Sequence, residues 1–457
     1  MGGECMKKEV DILEGSIFKN LLLFTLPIAL TGILQLLYNA ADIIVVGRFA
    51  GSNSLAAVGS TSALTNLLVN LFVGLSVGTN VCVAQFTGMG GERAKQLIHK
   101  AVHTSICLAL AGGIFLTVVG IVFSHSLLRM METPQDIIGE ATLYMRIIFA
   151  GMPAMLVYNF GSAILRASGD AKTPLLFLSV SGIVNVILNL VFVIVFHMGA
   201  EGVGIATVTS QFLSAFLILR FLMSRDSNYK LILRNIGIDR SMLKRIVRIG
   251  VPAGLQGIVF SISNVQIQSS VNSFGSAAIA GNSAAGNLEG FAYITMNATH
   301  HALMTFVGQN LGAGKKHRLK KTIALGCLQV TVMGVCISAL LLLFSRPLLG
   351  LYTPQDAEVI SYGVRRMDII VSTYFLCGLM EAIVGATRGL GSSFVPMCVS
   401  IFGVCGIRAG WLLTVFRQFR TLECLYISYP VSWLVTASVQ LVFCLIILKK
   451  RLDTSKI

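Results

Sequence analysis

Residues Asn20–Val46 read NLLLFTLPIALTGILQLLYNAADIIVV. A bilayer-spanning helix needs about 20 mainly apolar residues, and this run supplies them with one carboxylate, Asp42, and one proline, Pro27. It is also too long for the apolar core of a cleavable signal peptide, so the segment is expected to stay and to span. Membrane helices tolerate proline where neighbours satisfy the freed backbone groups. A lone acid in such a run faces a cavity more readily than lipid.

The rest of the chain repeats this character. Of its 457 residues, 55% are hydrophobic and only 12% charged, with 45 glycines. A soluble domain carries roughly 25% charge, so a water-soluble enzyme is excluded. Apolar runs beginning near Asn20, Ser54, Leu97, Ile137, Pro174, Gly199, Ile246, Ile279, Thr322, Asp368, Val395 and Cys424 predict twelve transmembrane helices. Cys82, Cys107, Cys327, Cys336, Cys377 and Cys444 fall inside such runs without any C-x-x-C pair. They read as small packing residues rather than as a zinc or redox site.

The net charge of +15 is a topology signal. With the N-terminus placed in the cytoplasm, 26 Lys and Arg fall on the cytoplasmic side and 8 on the other, with Arg408 inside a span. The positive-inside rule then puts both termini and the basic central loop in the cytoplasm. Nucleic acid is not expected as a partner.

Four motifs recur at nearly one offset. Leu26-Pro27-Ile28-Ala29 with Gly32 returns as Val251-Pro252-Ala253-Gly254 with Gly257, and Gln85-x-x-Gly88-x-Gly90 as Gln309-x-x-Gly312-x-Gly314. Thr133-Pro134-Gln135-Asp136 returns intact at Thr353–Asp356, and Arg166-x-x-Gly169-x-x-x-x-Pro174 as Arg388-x-x-Gly391-x-x-x-x-Pro396. Six spans per copy make this a parallel repeat about an axis along the membrane normal. The expected organisation is a cytoplasmic tail (1–16), an N-lobe (17–223), a cytoplasmic basic linker (224–245), a C-lobe (246–448) and a second cytoplasmic tail (449–457).

Three acids lie well inside apolar runs: Asp42, Glu289 and Glu381. Each is a candidate cation-coupling carboxylate, since a carboxylate at the bilayer centre costs about 2.5–3.5 kcal/mol on insertion scales. Tyr38 and Asn39, one helical turn before Asp42, are its expected partners. In the repeat Glu381 aligns with Asn159 and Glu289 with Thr65, so the acids break the symmetry of the halves. Asn159, Asn185, Gln256, Asn264, His300 and Arg408 are further candidates for cavity or supporting roles. His300 and the adjacent His301 are also ordinary helix-contact candidates.

The run Pro27 … Tyr38-Asn39-x-x-Asp42-x-x-x-x-Gly47, its proline echo at Pro252, Gln309-Asn310-x-Gly312-Ala313-Gly314 and Arg388-Gly389-x-Gly391 resemble the multidrug and toxic compound extrusion (MATE) family, over roughly Ile17 to Lys449. The resemblance implies an all-α integral membrane protein of twelve helices in two six-helix lobes. It implies an antiporter of the cell membrane that exports organic cations against H⁺ or Na⁺, with no enzymatic activity and no cofactor. It matches Asp42 to the family's coupling acid, a metal ligand only if the ion is Na⁺, and Pro27 to its helix-kinking proline. The implied partners are cationic small molecules and the bilayer, and a monomer is expected. Where some branches carry a glutamate in the seventh helix, this chain has Gln256, Asn264 and Gln266. A lipid-linked-saccharide flippase of the same architecture remains an alternative, but it favours an Arg- and Lys-rich cavity. A major-facilitator transporter would place a D-R-x-G-R-type run where this chain reads Gly88-Met89-Gly90-Gly91-Glu92-Arg93. A membrane-embedded enzyme would need a catalytic cluster, and no H-E-x-x-H or G-x-S-x-G occurs.

Overall fold

The computed structural model describes residues 10–224, 227–352 and 356–454. Lys7, Lys8, Arg225, Lys456 and the repeated Thr353-Pro354-Gln355 therefore lie outside the described residues. All regular structure described is helical. In the first half the helices are α1 (Ile17–Val45), α2 (Ser52–Met89), α3 (Gly91–Met130), α4 (Ile138–Ala150), α5 (Met152–Ala167), α6 (Lys172–Leu190) and α7 (Ala200–Ser224). In the second they are α8 (Arg240–Asn272), α9 (Ser276–Gly312), α10 (Lys316–Leu343), α11 (Ser345–Gly350), α12 (Ala357–Ile370), α13 (Tyr374–Gly389), α14 (Phe394–Ser400), α15 (Ile407–Leu413), α16 (Val415–Gln418) and α17 (Leu422–Thr454).

Ten helical segments among the described residues are long and apolar enough to cross a bilayer, and α4 with α5, bent by 43°, makes eleven. The remaining member of the expected twelve is α9, 37 residues long. It falls short on composition because it carries Asn282, Asn287, Glu289, Asn297, His300 and His301. Helices α10, α12 and α13 pack around it and bury Asn282, Glu289 and His300, while Asn287 stays exposed.

The described chain forms two compact units, Leu30–Gly254 and Val10–Ala29 with Leu255 onward. These differ from sequence boundaries drawn between helices. The units divide inside α1 and inside α8, in each case two residues past a proline, Pro27 or Pro252. Proline removes one backbone N–H from the helical ladder, so each helix is least tied to itself near that level. The basic linker is tied to α3. Ile232 N–H donates to His103 Nε2 at 3.0 Å, and Asp239 N–H to Thr104 Oγ1 at 3.1 Å, both acceptors on α3. Asp239 also caps α8 by accepting from Met242 N–H, and it pairs with Lys100; these contacts hold its carboxyl below the usual carboxylate range.

Duplication is visible in the backbone. Gly51 and Gly275 have φ of +93° and +94°, Gly90 and Gly314 +64° and +66°, Gly169 and Gly391 +100° and +86°. Only glycine adopts such angles without strain. In the first unit, Gly74 and Gly78 of α2 lie directly against Gly250 and Gly254 of α8. A Cβ on Gly74 would strike the Gly254 backbone, and one on Gly78 the Ile246 carbonyl oxygen. Small residues four apart let two membrane helices approach this closely.

Candidate ion-coupling sites

Asp42 is 9% exposed and sits near the end of α1, four residues before the winding loosens to a π-helical turn at Val46–Ala50. Asn189 of α6 donates its amide N–H to Asp42 Oδ1, and a matching π-helical turn follows two residues later at Val191–Val195. Such turns often mark functional positions. Thr207 of α7 donates to Asp42 Oδ2 at 3.2 Å. Asn185, one turn before Asn189, donates to Thr207 Oγ1 at 3.4 Å and accepts from Asn189 at 3.3 Å. One turn beyond Asp42 and Asn189 along their helices, Val45, Val46 and Val193 join Val58, Ala200 and Val203 in a buried apolar cluster.

The expected partners of Asp42 are therefore replaced. The Tyr38 hydroxyl donates to the Ser179 carbonyl at 3.5 Å, with its ring laid over Gly182, and Asn39 is exposed. Residues three and four positions earlier share a helix face with Asp42, but the acid turns toward α6 and α7. Asn185 was legible as a candidate, whereas Asn189 and Thr207 were missed. Two amides four residues apart in an otherwise apolar span were the available signal.

The site fits a small cation or a proton. Asn189 Oδ1 is buried without a hydrogen-bond partner, an orphan acceptor beside a carboxylate. Oxygen atoms of Asp42, Asn185, Asn189 and Thr207 are the ligand type a hard cation takes. Among the described residues no group of three or more His, Cys, Asp or Glu converges on one point.

The second unit is built differently. Glu289 accepts two hydrogen bonds from Arg366 of α12, at 2.8 Å from Nε and 2.7 Å from Nη2. Arg366 Nη1 also donates to Asn282 Oδ1 at 2.6 Å. Glu381 of α13 lies 3.2 Å from His300 Nδ1. Arg388 of α13 reaches His300 Nε2 at 3.3 Å and donates to Gln256 Oε1 at 2.9 Å. Arg408 stacks 4.1 Å from the Tyr429 ring and donates to Ser432. Asn159 bonds only its own helix among its described contacts, to the Met155 carbonyl at 2.9 Å, and Asn264 is exposed.

Two further arginines are interior. The count of 26 and 8 loop cations includes Arg388 on the cytoplasmic side and Arg366 on the other, with Arg408 as the one intramembrane cation. All three are buried, at 8%, 6% and 4% exposure. Glu289 pairs with Arg366, Glu381 lies near Arg388, and the Tyr429 ring covers Arg408; no local pattern in the chain reveals these partners. Removing Arg366 and Arg388 from the loop count takes one residue from each side.

The MatE family model matches residues 27–191 and 252–411, once in each half. The chain belongs to the MatE family. It is a multi-pass membrane protein whose two copies of the family unit coincide with the internal repeat. Similar proteins include the "Probable multidrug resistance protein YoeA" of Bacillus subtilis (strain 168), 28% identical over 430 residues and covering 92% of each chain. The "FAD transporter" of Shewanella oneidensis is 26% identical over 413 residues, 88% of each chain. Among solved structures, one described as an outward-facing MATE transporter superposes with a TM-score of 0.90 over 98% of this chain and 99% of its own, at 23% identity. Another, described as MATE in the bent conformation, gives 0.90 over 99% and 100% at 24% identity. At these identities the likeness shows the MatE fold.

Proposed function

We propose that this MatE-family chain is a secondary antiporter that exports organic cations across the cell membrane by alternating access, in exchange for H⁺ or Na⁺. The observation that carries this reading is the setting of Asp42: a buried carboxylate whose partners are an amide and a hydroxyl, with an orphan acceptor beside it. A neutral-partnered acid can exchange a proton or Na⁺ because no fixed cation holds its charge in place. The names of the multidrug-resistance relatives support a small-molecule cargo. In this reading both termini face the cytoplasm and the working form is a monomer.

An anionic cargo is the competing reading, prompted by the FAD-transporter relative and by buried arginines. Arg366 is neutralised by Glu289 and Arg388 lies near Glu381, which leaves Arg408, stacked on Tyr429, as a buried cation that an anionic cargo would have to use.

Transport into and out of proteoliposomes tests this, with an imposed pH or Na⁺ gradient applied separately and ethidium or FAD as cargo. Ethidium should move uphill under one gradient, and Asp42→Asn should abolish that movement while leaving the folded fraction unchanged. Uphill FAD movement, or unchanged ethidium pumping by the variant, overturns the reading.

A further inference from the structure

Basic side chains crowd the start of α10, where Lys315, Lys316, His317, Arg318, Lys320 and Lys321 stand close together. The helix has no acid in its first turn and no side-chain cap. A helix N-terminus carries partial positive charge and favours anions. Cations here add to a field that a negative group would offset.

The described residues offset little of it. Arg318 is wrapped by the strap that precedes α1, residues 10–15. Its Nε donates to the Ile12 carbonyl at 3.2 Å, its Nη1 to that of Gly15 at 2.8 Å and its Nη2 to that of Glu14 at 2.8 Å. Lys315 donates to the Leu13 carbonyl at 2.9 Å and Lys316 to the Leu452 carbonyl at 2.7 Å. Carbonyl oxygens accept hydrogen bonds but bring no net charge. The Glu14 carboxylate comes only to 4.0 Å from Lys315 Nζ and is 76% exposed. His317, Lys320 and Lys321 are exposed, and none pairs with an acid among the described residues. A guanidinium has five N–H donors, so the three bonds to the strap leave Arg318 two for a ligand.

These groups meet at a cavity of about 310 Å³, lined by residues 15–18 on one side and by His317, Arg318, Lys321 and Leu325 of α10 on the other. It sits where two membrane-length segments begin, one at Ile17 and one at Lys316, the level of the lipid headgroups. Polarity then falls along a single face of α10. Lys321, Leu325, Leu328 and Val332 follow one another at helical spacing, and Leu328 and Val332 are 54% and 50% exposed. Phe18 is exposed on α1. The cavity therefore has a cationic, hydrogen-bonding end and an apolar exit toward the acyl chains, which matches the two ends of a phospholipid.

We propose that this cavity binds an anionic phospholipid. Its phosphate lies against Lys321, His317 and the two remaining N–H groups of Arg318, and an acyl chain runs along Phe18, Leu325 and Leu328. A free phosphate would satisfy the cations and leave the apolar exit unused. Through Arg318 the bound headgroup also steadies the strap. The proposal is independent of the antiport reading. The charge count that puts both termini in the cytoplasm puts this lipid in the cytoplasmic leaflet, where basic pockets between helices take anionic headgroups.

Thermal unfolding of the full-length protein in uncharged detergent micelles tests it, with dioleoylphosphatidylglycerol, dioleoylphosphatidylcholine or sodium phosphate added. A ligand of the folded state raises the unfolding midpoint as its concentration passes its dissociation constant. Phosphatidylglycerol should do so saturably, and phosphatidylcholine at the same mole fraction should not. Lys321→Gln, at an exposed position, should weaken the apparent affinity for phosphatidylglycerol about fivefold, the effect of one cation near an anionic headgroup. Lys244→Gln removes the same charge from an exposed position on α8 and should leave that affinity unchanged. Equal stabilisation by the two lipids overturns the proposal. Equal losses in Lys244→Gln and Lys321→Gln also overturn it, because diffuse charge would then suffice to attract the lipid. Stabilisation by sodium phosphate to the same extent as by phosphatidylglycerol overturns the lipid assignment in favour of a free-phosphate site.

Discussion

The two halves keep the same turns and carry opposite electrostatics. Paired glycines hold matching left-handed φ values at three repeat positions, yet the buried charge is arranged differently. In the first unit Asp42 is held by Asn189 and Thr207, both uncharged. In the second, Glu289 meets Arg366, and Glu381 meets His300 with Arg388 beyond. Backbone geometry at a tight turn has few solutions and survives duplication. Polar side chains in the interior need only find partners, so a change on one helix is answered on another.

The largest effect expected from breaking this contrast is at Arg366. Arg366→Ala leaves Glu289 charged and unpaired in the interior, which costs about 3–5 kcal/mol. Thermal unfolding in detergent should show a large loss, and Arg366→Ala with Glu289→Ala should recover most of it. No recovery in the double variant would mean that the pair is more than an ion pair.

A smaller effect is expected where the halves differ in packing. Gly74, Gly78, Gly250 and Gly254 correspond, at the repeat offsets, to Ala298, Ala302, Thr25 and Ala29. Gly78→Ala drives a methyl into the Ile246 carbonyl and should cost about 1–3 kcal/mol, seen as a lowered unfolding temperature. Ala302→Gly creates no clash and should cost less. Equal costs would show that the glycine contact yields easily.

The smallest effect tests the neutral setting of Asp42. Thr207→Val removes one of the two side-chain hydrogen bonds that Asp42 accepts, from Thr207 and Asn189. In infrared difference spectra the midpoint of the Asp42 carboxyl band should then move by up to about one pH unit. An unmoved midpoint would show that the Thr207 contact does not bear on the charge state of Asp42.

Some of this was legible locally. An apolar run of bilayer length must be a helix in lipid, because no water is there to satisfy its backbone. The four repeated motifs are contiguous in the chain, so they could be read as a duplication. Asp42, Glu289 and Glu381 stood out because a carboxylate is costly in an apolar run, whatever surrounds it. Which of them is free was not legible. Asn189 lies 147 residues from Asp42, Arg366 lies 77 from Glu289, and His300 lies 81 from Glu381.

The sequence by itself determined the helices, the membrane, the repeat and the presence of buried acids, because each follows from the composition or spacing of neighbouring residues. Only the tertiary structure decided that Tyr38 and Asn39 turn away from Asp42, and that Arg366 and Arg388 are interior residues. It also decided that α1 and α8 each change units just past a proline. Hydrophobic burial acts on a whole helix face and leaves a periodic trace in the chain. A hydrogen bond or an ion pair acts between two atoms about 3 Å apart, and nothing in the order of residues records which two helices bring them together.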